Sequence, residues 1–158
     1  MYKIGENYKY IFDSNGLNGA SQRRPESDPS KYADIVRKYH KDFTDDEVKK
    51  CLHMLRTEGC GYAALVNTVF LRFFGEEEQF QKIFGYPMYT SDGKLNFDDL
   101  LVDFYCATDN HYGLFGFDLV DKKEDEKYEK GYGTTLESSE WRFETYMKKH
   151  GVSVDVRQ

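Results

Sequence analysis

Apolar residues recur along this chain mainly at helical spacing, and cap residues mark where one run ends and the next begins. Asp28 is an N-cap residue with Pro29 at the first helical position behind it. Tyr32, Ile35, Val36 and Tyr39 follow at three- and four-residue steps and predict a helix. Thr44 and Glu47 form a capping box, and Phe43 and Val48 stand where a hydrophobic staple would close. Val48, Cys51, Leu52 and Leu55 mark the apolar face of this second helix, which Gly59 is expected to stop in a left-handed conformation. A third helix runs from Cys60 or Gly61 to Phe74, closed by Gly75. Its residues Ala63 to Val66, Val69 to Leu71, Phe73 and Phe74 leave little polar face, which predicts a place in the middle of the core.

The acidic triplet Glu76 to Glu78 suits the first turn of a short fourth helix ending at Gly85, with Pro87 beyond it. A turn at Ser91-Asp92-Gly93 leads to a fifth helix from Phe97 to about Cys106, with Phe97, Leu100, Leu101 and Phe104 inward. Tyr112 to Val120 reads as a strand, and the charged run Asp121 to Lys130 as a solvated loop. Leu136 to His150 is helical, packing Trp141, Tyr146 and Met147, with Gly151 as its stop. Val152, Val154 and Val156 then alternate with Ser153, Asp155 and Arg157, the period of a half-buried strand. Residues 1–27 carry no clear period and form an irregular arm with a short strand near Tyr8 to Phe12. No internal repeat is visible. The chain is thus expected to be α+β, with an N-terminal arm (1–27) and a folded part (28–158).

Composition narrows the function classes. At 158 residues with 13 Tyr, 12 Phe and one Trp, the chain can bury one core of ordinary size. A mean hydropathy of -0.76 predicts a soluble protein. The longest apolar run, Ala63 to Phe74, is interrupted by Asn67, Thr68 and Arg72 and is too short for a bilayer, so no membrane partner is expected. No signal peptide opens the chain; export, if it occurs, would be directed by a longer parent polypeptide. The net charge of -6 and the lack of a basic stripe argue against nucleic acid. Three cysteines, Cys51, Cys60 and Cys106, have no metal-type spacing, and reduced thiols are expected. Neither a metal nor a cofactor motif is present.

One cysteine stands out. Cys60 lies between Gly59 and Gly61 where one helix stops and another starts. The unpaired N–H groups of a helix start stabilise a thiolate and can cradle a developing oxyanion, while the glycines leave the sulfur approachable. The bland reading is a buried, inert cysteine at a helix start.

The stretch Gly59-Cys60-Gly61-Tyr62-Ala63-Ala64-Leu65-Val66-Asn67 resembles the nucleophile helix of bacterial papain-like cysteine peptidases related to the double-glycine leader peptidases. Further on, Gly133-Thr134-Thr135, a helix to Lys149, and His150-Gly151-Val152-Ser153-Val154 follow the order of segments in that family. The resemblance implies a helical lobe carrying the cysteine and an antiparallel sheet carrying a general-base histidine. The match is loose over Lys49 to Val156 and specific only around Cys60. Tyr62 replaces the usual proline, Met54 and Leu55 stand where an oxyanion glutamine is usual, and Glu58 would oppose a thiolate if it faced the sulfur. Residues 76–110 and the acidic loop would be insertions. The family histidine would lie beyond Gln158; the rival base is His111, in Asn110 to Asp118.

The remaining histidines have plainer readings: His40 and His53 on helix surfaces, His150 in a last helical turn. Asp98, Asp99 and Asp103 share one helix face, read as solvated rather than metal-binding. The function expected is a thiol peptidase acting on a peptide or protein through a Cys60 acyl-enzyme, as a processing peptidase or an effector or toxin module. The alternative is an inactive papain-like binding module. A transferase using the same cysteine is a further rival. The C-terminal strand edge is expected to pair with another chain or fragment.

Overall fold

The computed structural model describes residues 21–108 and 136–154, with side chains of the last helix from Ser139 onward. Seven helices carry these residues: α1 (Arg24–Ser27), α2 (Pro29–Tyr39), α3 (Asp45–Glu58), α4 (Cys60–Phe73), α5 (Glu77–Phe84), α6 (Phe97–Thr108) and α7 (Leu136–Lys149). Among the described residues there is no sheet. Tyr89 and Leu95 form one antiparallel bridge around the Ser91-Asp92-Gly93 turn, where Gly93 takes a positive φ of 78°. Val152 to Val154 has no regular strand, although Val152 and Val154 do pack on the core; the strand's last residues, the Tyr112–Val120 strand and the Tyr8–Phe12 strand lie outside the described residues.

Local chemistry accounts for the helix boundaries. Pro29 opens α2 with Asp28 as N-cap residue, although the Asp28 carboxylate accepts from the Ser30 hydroxyl rather than from the backbone. At α3 the capping box is complete: Glu47 N–H donates to Thr44 Oγ1 at 3.4 Å, and Thr44 N–H donates to Glu47 Oε2 at 2.7 Å. Gly85 ends α5 in the left-handed region at φ 86°, where a side chain would be strained. The short α1 falls in the stretch expected to be irregular. Its Pro25 is buried, and Glu26 reaches His53 and Arg56 on α3.

The packing centre is α6, which contacts α2, α3, α4 and α7. Nine of the twelve residues from Phe97 to Thr108 are buried, Asp103 and Thr108 among them. The expectation that α4 is the all-apolar central helix is corrected here. Its buried stripe is Tyr62, Ala63, Val66, Val69, Phe70 and Phe73, while Cys60, Ala64, Thr68 and Arg72 recur every fourth residue on an exposed face. Phe70 stacks on Phe80 of α5 and Phe97 of α6, and Phe73 meets Phe80 and Phe84 edge-on, so the many phenylalanines form the joint between α4, α5 and α6. On α7 the inward stripe is Ser139, Arg142, Phe143, Tyr146 and Met147. Trp141 falls off this stripe and is 45% exposed, contrary to its expected packing.

Candidate functional site around Cys60

A single residue, Gly59, separates α3 from α4. It closes α3 by donating to Leu55 O at 2.8 Å and opens α4 by accepting from Ala63 N–H at 2.9 Å. Its φ of -76° is not left-handed, so the expected left-handed stop is not what requires glycine. The requirement is space: a Cβ here would lie 2.4 Å from Leu55 O and 2.5 Å from Leu55 Cδ1. A larger residue would thus force the preceding turn to shift, and the chain turns directly into α4.

Cys60 is the first residue of α4 and is exposed, whereas Cys51 and Cys106 are buried. It begins a helix of fourteen residues, whose first-turn N–H groups carry the partial positive charge of the helix start. The residues two before and two after it are anchored in the core. Glu58, 1% exposed, accepts from Tyr105 Oη at 3.0 Å, so its carboxylate is turned inward rather than left beside the exposed thiol. Tyr62 packs its ring against Phe104 and Tyr105, and its hydroxyl accepts from Arg142 Nη1 at 3.2 Å. Arg142, with no exposed surface, also donates to Thr108 O at 2.7 Å. A buried cluster of Glu58, Tyr62, Tyr105 and Arg142 therefore ties α3, α4, α6 and α7 together under the cysteine.

At the positions matched to the oxyanion glutamine, Met54 is half-buried and Leu55 fully buried, and neither offers a donor. The donors at hand are backbone N–H groups. The described histidines are engaged elsewhere. His53 Nδ1 lies 2.7 Å from Glu26 Oε1, and with Arg56 on the other oxygen it holds the Glu26 carboxyl below its ordinary range. His40 stacks on Phe43, and His150 sits against Phe84 and Tyr146 with Nδ1 2.9 Å from Tyr146 O. His111 lies outside the described residues.

The acidic face of α6 is not the solvated surface expected for it. Asp98 receives Arg24 at 3.0 Å and Tyr32 Oη at 3.1 Å. Asp103, 3% exposed, accepts from Lys38 Nζ, Tyr39 Oη and Tyr146 Oη. Burial, and then the Asp103 charge, push the Tyr39 hydroxyl well above its ordinary pKa. Burial does the same to Tyr146, with Tyr86 and Asp103 adding to it. Among the described residues no group of His, Cys, Asp and Glu is arranged to hold a metal, and no helix is long and apolar enough to cross a membrane.

A groove of about 460 Å³ runs beside α4, lined by Leu65, Thr68 and Val69, by Phe143 and Met147 of α7, and by Val154. Leu65 is five residues beyond Cys60, about 7.5 Å along the helix at 1.5 Å per residue. Sequence reasoning missed Arg142 and the inward Glu58. The signal for Arg142 is its place on the helical stripe Ser139, Phe143, Tyr146, from which Trp141 departs. No protein-family model, characterised protein or solved structure matches this chain.

Proposed function

We propose that this chain is the helical part of a papain-like thiol peptidase in which the Cys60 thiolate attacks a peptide carbonyl to give an acyl-enzyme. The observation that carries the reading is the placement of Cys60: exposed, first in a long helix, after a tight turn at Gly59 where a Cβ would meet the Leu55 carbonyl. The helix start favours the thiolate, and its N–H groups are the oxyanion donors at hand. The apolar groove beside α4 suits the side chains of an extended peptide, whose scissile carbonyl would reach back to the sulfur. The base in this reading is a histidine, for which His111 is the candidate within this chain.

The second reading is a binding module without catalysis. The engagement of His40, His53 and His150 away from Cys60 favours it, as does the absence of a side-chain donor at Met54 and Leu55. A peptide library separates the two. Cleavage by the chain that is abolished by Cys60→Ser supports the peptidase, and loss of cleavage in His111→Ala assigns the base to that residue. Peptides bound but left uncut, with affinity unchanged in Cys60→Ser and a Cys60 that alkylates only at the high pH of an ordinary thiol, support the binding module and overturn the peptidase.

A further inference from the structure

Cys51 on α3 and Cys106 on α6 are far apart in sequence, yet their Sγ atoms lie 3.8 Å from each other. Both residues are buried, Cys51 completely, while Cys60 is exposed. A disulfide requires about 2 Å between the sulfurs, so closure asks for less than about 2 Å of further approach. Rotation about the two Cα–Cβ bonds and a small shift of two helices already in contact can supply that.

We propose that Cys51 and Cys106 are a dithiol that a small hydroperoxide converts to a disulfide, latching α3 to α6. One sulfur attacks a peroxide oxygen and the O–O bond breaks. The departing hydroxide takes the thiol proton to become water and leaves a sulfenic acid. The second sulfur then attacks the sulfenic sulfur: the S–S bond forms, the S–O bond breaks, and the hydroxyl leaves as water with the second thiol's proton. The two thiols together lose two electrons, and hydrogen peroxide is reduced to two waters. Burial of both sulfurs selects a small uncharged oxidant over a bulky disulfide. The latch fixes α3, the helix that runs through Gly59 to Cys60, and it restrains the unfolded chain over the long loop it closes.

The test uses the full chain carrying Cys60→Ser, so that only the pair remains. After hydrogen peroxide, alkylation of residual thiols and intact-mass analysis should show the loss of two hydrogens and no free thiol. Peptide mapping should find Cys51 joined to Cys106 within one chain. The melting temperature should rise by roughly 10 °C and fall back on reduction. Adding Cys51→Ser or Cys106→Ser should abolish both effects. Two alkylatable thiols persisting at a peroxide dose that oxidises Cys60 in the unmodified chain would overturn the proposal. So would oxygen addition at either cysteine in place of the link, or links found only between chains.

Discussion

Tyr146 Oη donates to Asp103 Oδ2 at 2.5 Å across the buried seam between α6 and α7. The other oxygen of the same carboxylate accepts Lys38 Nζ at 2.7 Å and Tyr39 Oη at 2.9 Å from α2, so one side chain joins three helices. The three donors are not equivalent. The Lys38 side chain is 54% exposed and can return to water, whereas Tyr146 is buried. Tyr146→Phe should cost about 1.5–3 kcal/mol, the range for hydrogen bonds to a charged group. Lys38→Met should cost less than about 1 kcal/mol, as exposed ion pairs do. Asp103→Ala strands the buried hydroxyls and should cost roughly 3–5 kcal/mol. Urea denaturation of the three variants checks the order, and equal losses for Lys38→Met and Tyr146→Phe would contradict it.

Asp99 should give stability a pH dependence of opposite sign to that of a paired carboxylate. Burial foremost, with Asp98 and Asp103 adding like charge, raises its pKa against the pull of Lys31 and Asn96. The folded chain therefore holds this proton at a pH where the unfolded chain has lost it. The contribution is fully present below the unfolded value near 3.8 and is lost as pH rises through the higher folded value. Asp99→Asn should accordingly stabilise the protein at neutral pH, and the gain should vanish in acid below the unfolded pKa. Thermal melts of both forms across that range provide the check; a gain that persists unchanged in acid would exclude the electrostatic cause.

The α3–Gly59–α4 junction responds to two substitutions for different reasons. Thr44→Ala removes the N-cap acceptor at the start of α3 and should cost about 1 kcal/mol. Gly59→Ala gains little helix propensity, because Gly59 is a cap of both helices and not an interior position. It drives a methyl into the Leu55 carbonyl, a backbone atom that cannot step aside. Overpacking of this kind costs about 1–3 kcal/mol, so the net change should be destabilising, and alkylation of Cys60 at the junction should also change rate. Denaturation midpoints and the alkylation rate of the native protein measure the two effects separately.

These cases show which parts of the fold were legible in the sequence. The capping box at Thr44, the Pro29 start, the Gly85 stop and the beginning of α4 at Cys60 are written in a few adjacent residues, and the structure follows them. The Asp98, Asp99 and Asp103 face could not be read locally. Most of what covers it, Arg24, Tyr32, Lys38 and Tyr39, lies more than sixty residues upstream, and Tyr146 lies downstream on α7. Polarity alone implies exposure, but Asp103 and Arg142 are polar and buried because distant partners satisfy them. At the candidate site, Cys60 was visible through its flanking glycines. The cluster beneath it was not, because Glu58, Tyr105 and Arg142 meet only in the tertiary fold.

Arg142 gives the sharpest test of that cluster. Its guanidinium has no exposed surface and donates to Tyr62 Oη and Thr108 O, so it bridges the start of α4 and the end of α6 from α7. A planar fork with five donors can serve both acceptors at once, whereas an ammonium on a shorter reach cannot keep that geometry. Arg142→Met fills much of the same volume but leaves the Thr108 carbonyl and the Tyr62 hydroxyl without this donor, and should cost roughly 2–4 kcal/mol. Tyr62→Phe removes the hydroxyl that accepts from Arg142 and keeps the ring packing on Phe104 and Tyr105, so about 1 kcal/mol is expected. If the two side chains act through their mutual bond, their effects will not add, and the double variant will fall short of the sum. Strict additivity in a denaturation cycle would show instead that Arg142 supports the fold through Thr108 and leaves the helix that carries Cys60 untouched.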